Sequence, residues 1–201
     1  VIMGTSTSGI AEGEEAVRHL HRHGQFPSGY DYQQQELGDP SLFMAELLDL
    51  CGPAYTLSTA CSSSARAIIS GKRLIDAGLA DAALVGGADS LCRMPVNGFN
   101  SLESFSRGRC TPFGQDRDGI NIGEASALLL LTREPAAVAL LGAGESSDAW
   151  HMSAPHPEGL GAERAIRMAL AQAGLSAADV GYINAHGTAT PLNDQAEAAV
   201  I

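Results

Sequence analysis

The 201-residue chain is 45% hydrophobic and 17% charged, a balance that suits a packed globular core and excludes a disordered chain. Its 12 basic against 23 acidic side chains leave a formal charge of −11, which argues against a nucleic-acid partner because phosphate contacts need a basic surface. The longest apolar run, "ASALLLLT", falls well short of the roughly 18–20 residues that span a bilayer.

The first residues, "VIMGTSTSG", lack the basic head and apolar stretch of a signal peptide, so a cytoplasmic location is expected. They start as a core strand already under way, and "NDQAEAAVI" stops inside a helical pattern; the chain reads as a stretch of something longer. Residues 12–23, "EGEEAVRHLHRH", predict a helix with acids in its first turn and basic residues in its last, matching the helix dipole. His19 and His23 lie one turn apart there. They read as solvated surface rather than as a metal pair, and no metal site is expected.

Asp39-Pro40 opens the next helix, with Asp39 as N-cap and Pro40 as first helical residue; Gly52-Pro53 stops it. "AYTLST" is a short strand, and residues 62–77 predict a helix closed by Gly78. "DAALVGGAD", "EASALLLLT" and "AVALLGAG" read as buried strands, with Glu134-Pro135 as the internal boundary. A helix over about 161–173, closed by Gly174, precedes a last strand, "VGYINAHGT".

The segments "LIDAGLADAALVGGAD" and "ALAQAGLSAADVGYINAHG" share one pattern: helix, Ala-Gly-Leu, a linker ending in Asp, then a strand. Alternating helices and continuous apolar strands imply an α/β fold with sheets covered on both faces. The repeat divides the chain into two similar halves, 1–134 and 135–201.

Ligands of α/β folds sit at the C-terminal ends of strands, and two such ends carry reactive groups. Cys61, in "STACSSSARA", follows a strand and begins a helix. There unpartnered N–H groups and the positive end of the dipole favour a thiolate and can hold an oxyanion. An inert buried cysteine is the alternative. The other three, Cys51, Cys92 and Cys110, form no C-x-x-C pair with it, which speaks against zinc and a disulfide framework. At the second strand end, "NAHGTATPLND", His186 is either an acid, base or hydrogen-bond donor, or a satisfied turn residue; Thr188 and Thr190 add hydroxyls beside it. Cysteine and histidine together, one in each half, favour nucleophilic catalysis.

The strings "TACSSSARA", "LVGGAD", "GFNSL", "TPFGQDRDGINIGEASALLLL", "SSDAWHMSAPHPEG" and "INAHGTATPLNDQAE" resemble the β-ketoacyl-acyl carrier protein synthases, condensing enzymes of fatty-acid and polyketide synthesis. The resemblance implies a thiolase-like fold layered α-β-α-β-α, here incomplete. It implies decarboxylative Claisen condensation, with Cys61 as the nucleophile that takes an acyl chain and His186 assisting malonyl decarboxylation and holding the enolate oxygen. Thr188, Thr190 and Ser153 match positions on the phosphopantetheine arm, Phe99 matches a residue lining the acyl pocket, and Glu197 a supporting acid.

The implied partners are an acyl carrier protein and a second subunit, identical or related. No cofactor is expected beyond the carrier's own phosphopantetheine. Arg22, Lys72, Arg73, Arg107 and Arg109 are candidates to meet the acidic carrier, or are general surface. The family's second histidine, its lysine and its gating loop are not among these residues, so the chain alone is expected to be inactive. A ketosynthase domain of a modular polyketide enzyme, a non-catalytic chain-length factor and a thiolase are the alternatives. Cys61 weighs against the second and "HGTATPLND" against the third.

Overall fold

The computed structural model describes residues 1–201, and its contacts separate two units: 1–97 with 122–134, and 98–121 with 135–201. One of the crossings between the units falls at Glu134/Pro135. Residues 98–121, read as part of the first half, group with the second unit by contact.

The first unit is built around β1 (Ile2–Ser8), whose first four residues are buried. α1 (Ile10–His23) follows and is closed by Gly24 in the left-handed region at φ 74°. α2 (Asp39–Leu47) starts one residue earlier than its sequence signals suggest, with Gly38 at the N-cap. The Asp39 carboxylate is engaged elsewhere, accepting from Gln33 Nε2 at 3.0 Å. The Ser41 hydroxyl, two residues on, donates to the Gly38 carbonyl at 3.0 Å.

β2 (Tyr55–Leu57), α3 (Ser63–Asp76), β3 (Ala82–Asp89), α4 (Arg93–Ser101) and β4 (Ala125–Thr132) complete the run. The sheet order is β2-β1-β3-β4, with the first two pairings parallel and the β3–β4 pairing antiparallel. Ile2, Ala67, Ile75, Ala83 and Val85 form the core where α3 packs on the sheet. The Glu14 carboxylate accepts from the Arg93 and Met94 amides at 3.0 and 2.9 Å, supplying from α1 a cap for the start of α4.

β4 departs from expectation. Its leucine run predicts a strand covered on both faces, but Leu128, Leu129 and Leu130 are 40%, 51% and 68% exposed. β4 is the outermost strand and pairs only with β3, so one edge meets no other strand.

In the second unit, α5 (Leu160–Ala173) lies on the segment that contains Gly142 and Gly144. A Cβ at either glycine would strike the α5 backbone, at the Ala169 and Ala165 carbonyls respectively. Residues 137–144 and 180–188 form no strands, contrary to their composition. A strand exists only as part of a ladder, and neither segment finds a ladder partner in this chain. α6 (Pro191–Ala198) ends the unit, with Thr190 at its N-cap.

The internal repeat survives at the level of helix caps. After α3, Gly78 at φ 70° sends its N–H to Ile75 and Leu79 sends its own to Leu74, at 3.0 and 2.9 Å. After α5, Gly174 at φ 68° bonds Ala171 and Leu175 bonds Leu170, at 3.2 and 3.0 Å. Both are Schellman closures, which require the left-handed residue that glycine supplies without strain. The second copy then turns through Ser176–Asp179, where two hydrogen bonds from Ser176 hold the Asp179 carboxyl below its ordinary range.

Candidate active site

Cys61 sits in a tight turn between β2 and α3 and is exposed. The turn is held by small polar groups. The Thr59 amide donates to Ser63 Oγ at 2.9 Å, Ser63 Oγ donates to the Ala60 carbonyl at 2.6 Å, and Ser62 Oγ donates to the Thr59 carbonyl at 2.8 Å. Ala60 adopts φ 53°, a left-handed conformation that costs a non-glycine residue about 1 kcal/mol or more. Such strain persists because the serine bonds over-determine the turn.

The same serines answer a packing demand. The first turn of α3 rests on the sheet at two glycines: a Cβ at Gly4 of β1 would strike the Ser63 and Ser64 backbone, and one at Gly87 of β3 would strike Ser64 Oγ. Only bare backbone beneath and small side chains above allow this approach. It fixes the helix N-terminus, two residues after Cys61, over β1 and β3. The C-terminal ends of β1 and β3 are tied at Asp89. One carboxylate oxygen accepts from the Ser6 and Thr7 amides and the Thr5 and Thr7 hydroxyls, at 2.6–3.1 Å.

The remaining cysteines differ. Cys92 is 5% exposed, and burial pushes its thiol up, with the carboxylates of Glu14 and Asp89 adding to the effect. It is a protonated core residue at neutral pH. No group of three or more His, Cys, Asp or Glu side chains is arranged to hold a metal ion.

His186 lies in the second unit, exposed, at the start of a loop that enters α6. Glu197, two turns into that helix, reaches back. Its two oxygens accept from the His186 and Gly187 amides at 2.5 and 2.8 Å. Glu197 thus holds the histidine's backbone. Thr188 and Thr190 hydroxyls share a hydrogen bond of 2.7 Å, which sets both on one side of the loop as the spacing suggests.

Asp194, which the sequence reading passed over, organises this corner. It is 1% exposed. One oxygen accepts from the Ala189 amide at 3.1 Å and the other from the Phe113 amide at 2.7 Å. Arg117 Nε lies 3.7 Å from Asp194 Oδ2, while its guanidinium nitrogens donate to the Gly114 and Pro191 carbonyls at 3.0 and 3.3 Å. Ala189 is fully buried at φ 59°. A backbone this constrained needs an acceptor for its amide, and Asp194 is that acceptor. The signal was present as a short acidic residue one turn before Glu197 and as Arg117 in "DRDG".

Within the second unit the structure therefore gathers His186, Thr188, Thr190 and Glu197 in one loop–helix corner. Phe99 is half-buried on α4. Ser153 bonds instead to its neighbour His151, its amide donating to Nδ1 at 3.1 Å. Cys61 belongs to the first unit. Lys72 is paired to Asp76 at 2.5 Å, whereas Arg22, Arg107 and Arg109 are exposed.

Comparison with known proteins shows the family and the fold to which these residues belong. The N-terminal domain of β-ketoacyl synthase matches residues 1–137 and its C-terminal domain residues 137–201. A 3-oxoacyl-[acyl-carrier-protein] synthase 2 of Rhizobium meliloti is 40% identical over 157 residues, covering 70% of this chain and 37% of that protein. A ketosynthase solved in complex with its chain length factor, from Xenorhabdus doucetiae, is 67% identical with a TM-score of 0.95, covering 99% of this chain and 50% of that one. The ishigamide ketosynthase/chain length factor is 31% identical with a TM-score of 0.88, and the chain covers 52% of it. This chain thus spans about half, or less, of the length of these relatives. Its fold is that of the ketosynthases, and the chain belongs to the β-ketoacyl synthase family.

Proposed function

We propose that this chain carries the nucleophile and the first histidine of a decarboxylative condensing enzyme. The Cys61 thiolate attacks an acyl thioester on a carrier protein, forming a new thioester and releasing the carrier's thiol. A malonyl thioester then loses CO2. The electron pair left on carbon is held as an enolate whose oxygen His186 stabilises. That carbon attacks the acyl-Cys61 carbonyl and expels the Cys61 thiolate, giving a β-ketoacyl thioester.

The observation that carries this reading is the Cys61 turn. An exposed thiol stands at the start of a fourteen-residue helix, on a strained turn tied by three serine and threonine hydrogen bonds. Charge stabilisation at a developing oxyanion is what such a helix start supplies. A chain-length factor, with no use for a nucleophile, would not need the thiol there. The 67% identity to a ketosynthase that works with a chain length factor favours pairing with a related subunit over pairing with a copy of itself. An acyl carrier protein as donor, a cytoplasmic location, and no resident cofactor complete the proposal. Residues 1–201 alone are not expected to turn over.

The test is mass spectrometry of the full-length protein after incubation with an acyl-carrier thioester. The acyl mass is expected on the peptide containing Cys61 and is expected to vanish in Cys61→Ala. Acylation elsewhere, or retained in the variant, removes the nucleophile assignment.

A further inference from the structure

The C-terminal end of α1, in the first unit, carries a pair of imidazoles that the condensation chemistry does not use. His19 and His23 are one turn apart, with ring centroids 4.4 Å from each other and planes tilted by 42°. The chain folds back after the Gly24 cap, so His19 Nδ1 lies 2.9 Å from the Gln25 carbonyl oxygen. A carbonyl oxygen only accepts, so Nδ1 carries the proton of the neutral ring. The lone pair is then on Nε2. This is the arrangement of most metal-binding histidines, which donate one ring N–H to a carbonyl or carboxylate and coordinate through the other nitrogen.

The last carbonyls of a helix carry partial negative charge, which favours a cation there. Of the two neighbouring guanidinium groups, Arg18 is paired with Glu15, and Arg22 is exposed to solvent. His23 is exposed and therefore able to turn its ring toward a shared ion. We infer that His19 and His23 form a two-imidazole chelate for a borderline divalent cation of the zinc–copper class, with water completing the coordination shell. Imidazole nitrogen suits these ions, at about 2.0–2.1 Å for zinc. His21, rotated by roughly 200° on the helix, faces elsewhere and takes no part.

The probe is Zn2+ itself, titrated into the untagged chain and followed by calorimetry and by the imidazole NMR signals. The His19 and His23 signals should shift together. His23→Ala should weaken the tightest Zn2+ binding by at least about tenfold, the loss expected when a chelate falls to one ligand, and His21→Ala should leave it unchanged. Zn2+ binding of equal strength in His23→Ala, or His19 and His23 signals that do not respond, overturns the assignment. Because His23 is exposed at a helix end, its replacement leaves the fold intact, and circular dichroism verifies this in the same samples.

Discussion

Asp194 shows how much one buried side chain can hold in place. Both of its oxygens are taken by backbone amides from separate loops, and a guanidinium stands beside it. Asn at this position keeps only one acceptor and turns an NH2 group toward an amide that also donates. The unsatisfied donor costs about 1–3 kcal/mol, and the lost pairing with partly exposed Arg117 adds a smaller amount. Asp194→Asn should therefore lower the urea midpoint, read by the fluorescence of Trp150, the only tryptophan and a member of the same unit. An unchanged midpoint would mean that the loop keeps its shape without this carboxylate. Cys61 and His186 stand out in the sequence as reactive residue types that follow apolar runs, although the run before His186 forms no strand here. Asp194 does not, because an acid in a helix's first turn reads as a dipole partner, and only the folded chain shows which amides point at it.

Among the elements, α3 is the one on which the site depends. Its first turn can sit over the sheet only because Gly4 and Gly87 present no side chain. Gly4→Ala would drive a methyl into the Ser63–Ser64 backbone. Overpacking of this kind costs about 1–3 kcal/mol and displaces the helix start. The expected outcome is a lower melting temperature together with an altered rate of Cys61 alkylation by iodoacetamide. Gly52→Ala, where an added Cβ meets nothing within 4 Å, is the matched control and should change neither.

Helices α1, α3 and α5 were readable to within two residues, whereas α2 ends at Leu47, short of Gly52-Pro53, and α4 was not expected. Capping chemistry is local, and the left-handed glycines at 78 and 174 mark the ends of α3 and α5. Two expected strands, at 137–144 and 180–188, were not realised, because a strand's existence depends on a partner that its own composition cannot specify. The glycines in "ALLGAG" carry a different message. They are the floor on which α5 lies.

At the scale of the molecule, the 201 residues divide into two units. A ketosynthase at 67% identity is about twice as long as this chain, which covers 50% of it. The consequence for solution behaviour is visible in β4. Leu128, Leu129 and Leu130 are open, and one edge of the strand meets no other strand. An exposed apolar edge strand recruits other strands. The isolated 201-residue chain should elute from a sizing column as an associated species, and Leu130→Lys should shift it toward the monomer. A wild-type chain that is monomeric at the same concentration would show that this edge is protected in solution. The fold class was evident from the alternation of apolar runs with capped helices. The exposed edge was not, since four consecutive leucines describe an interior strand equally well.

The reach of Glu197 across the His186 loop has a kinetic meaning. The carboxylate that fixes the histidine's backbone is itself mounted on α6. Any event that tilts or frays this eight-residue helix moves the histidine by the same carboxylate tether, without touching its imidazole. On the mechanism proposed above, the outer surface of α6 would be a remote handle on turnover: a substitution there that spares every reactive group would slow decarboxylation while leaving acyl loading on Cys61 intact.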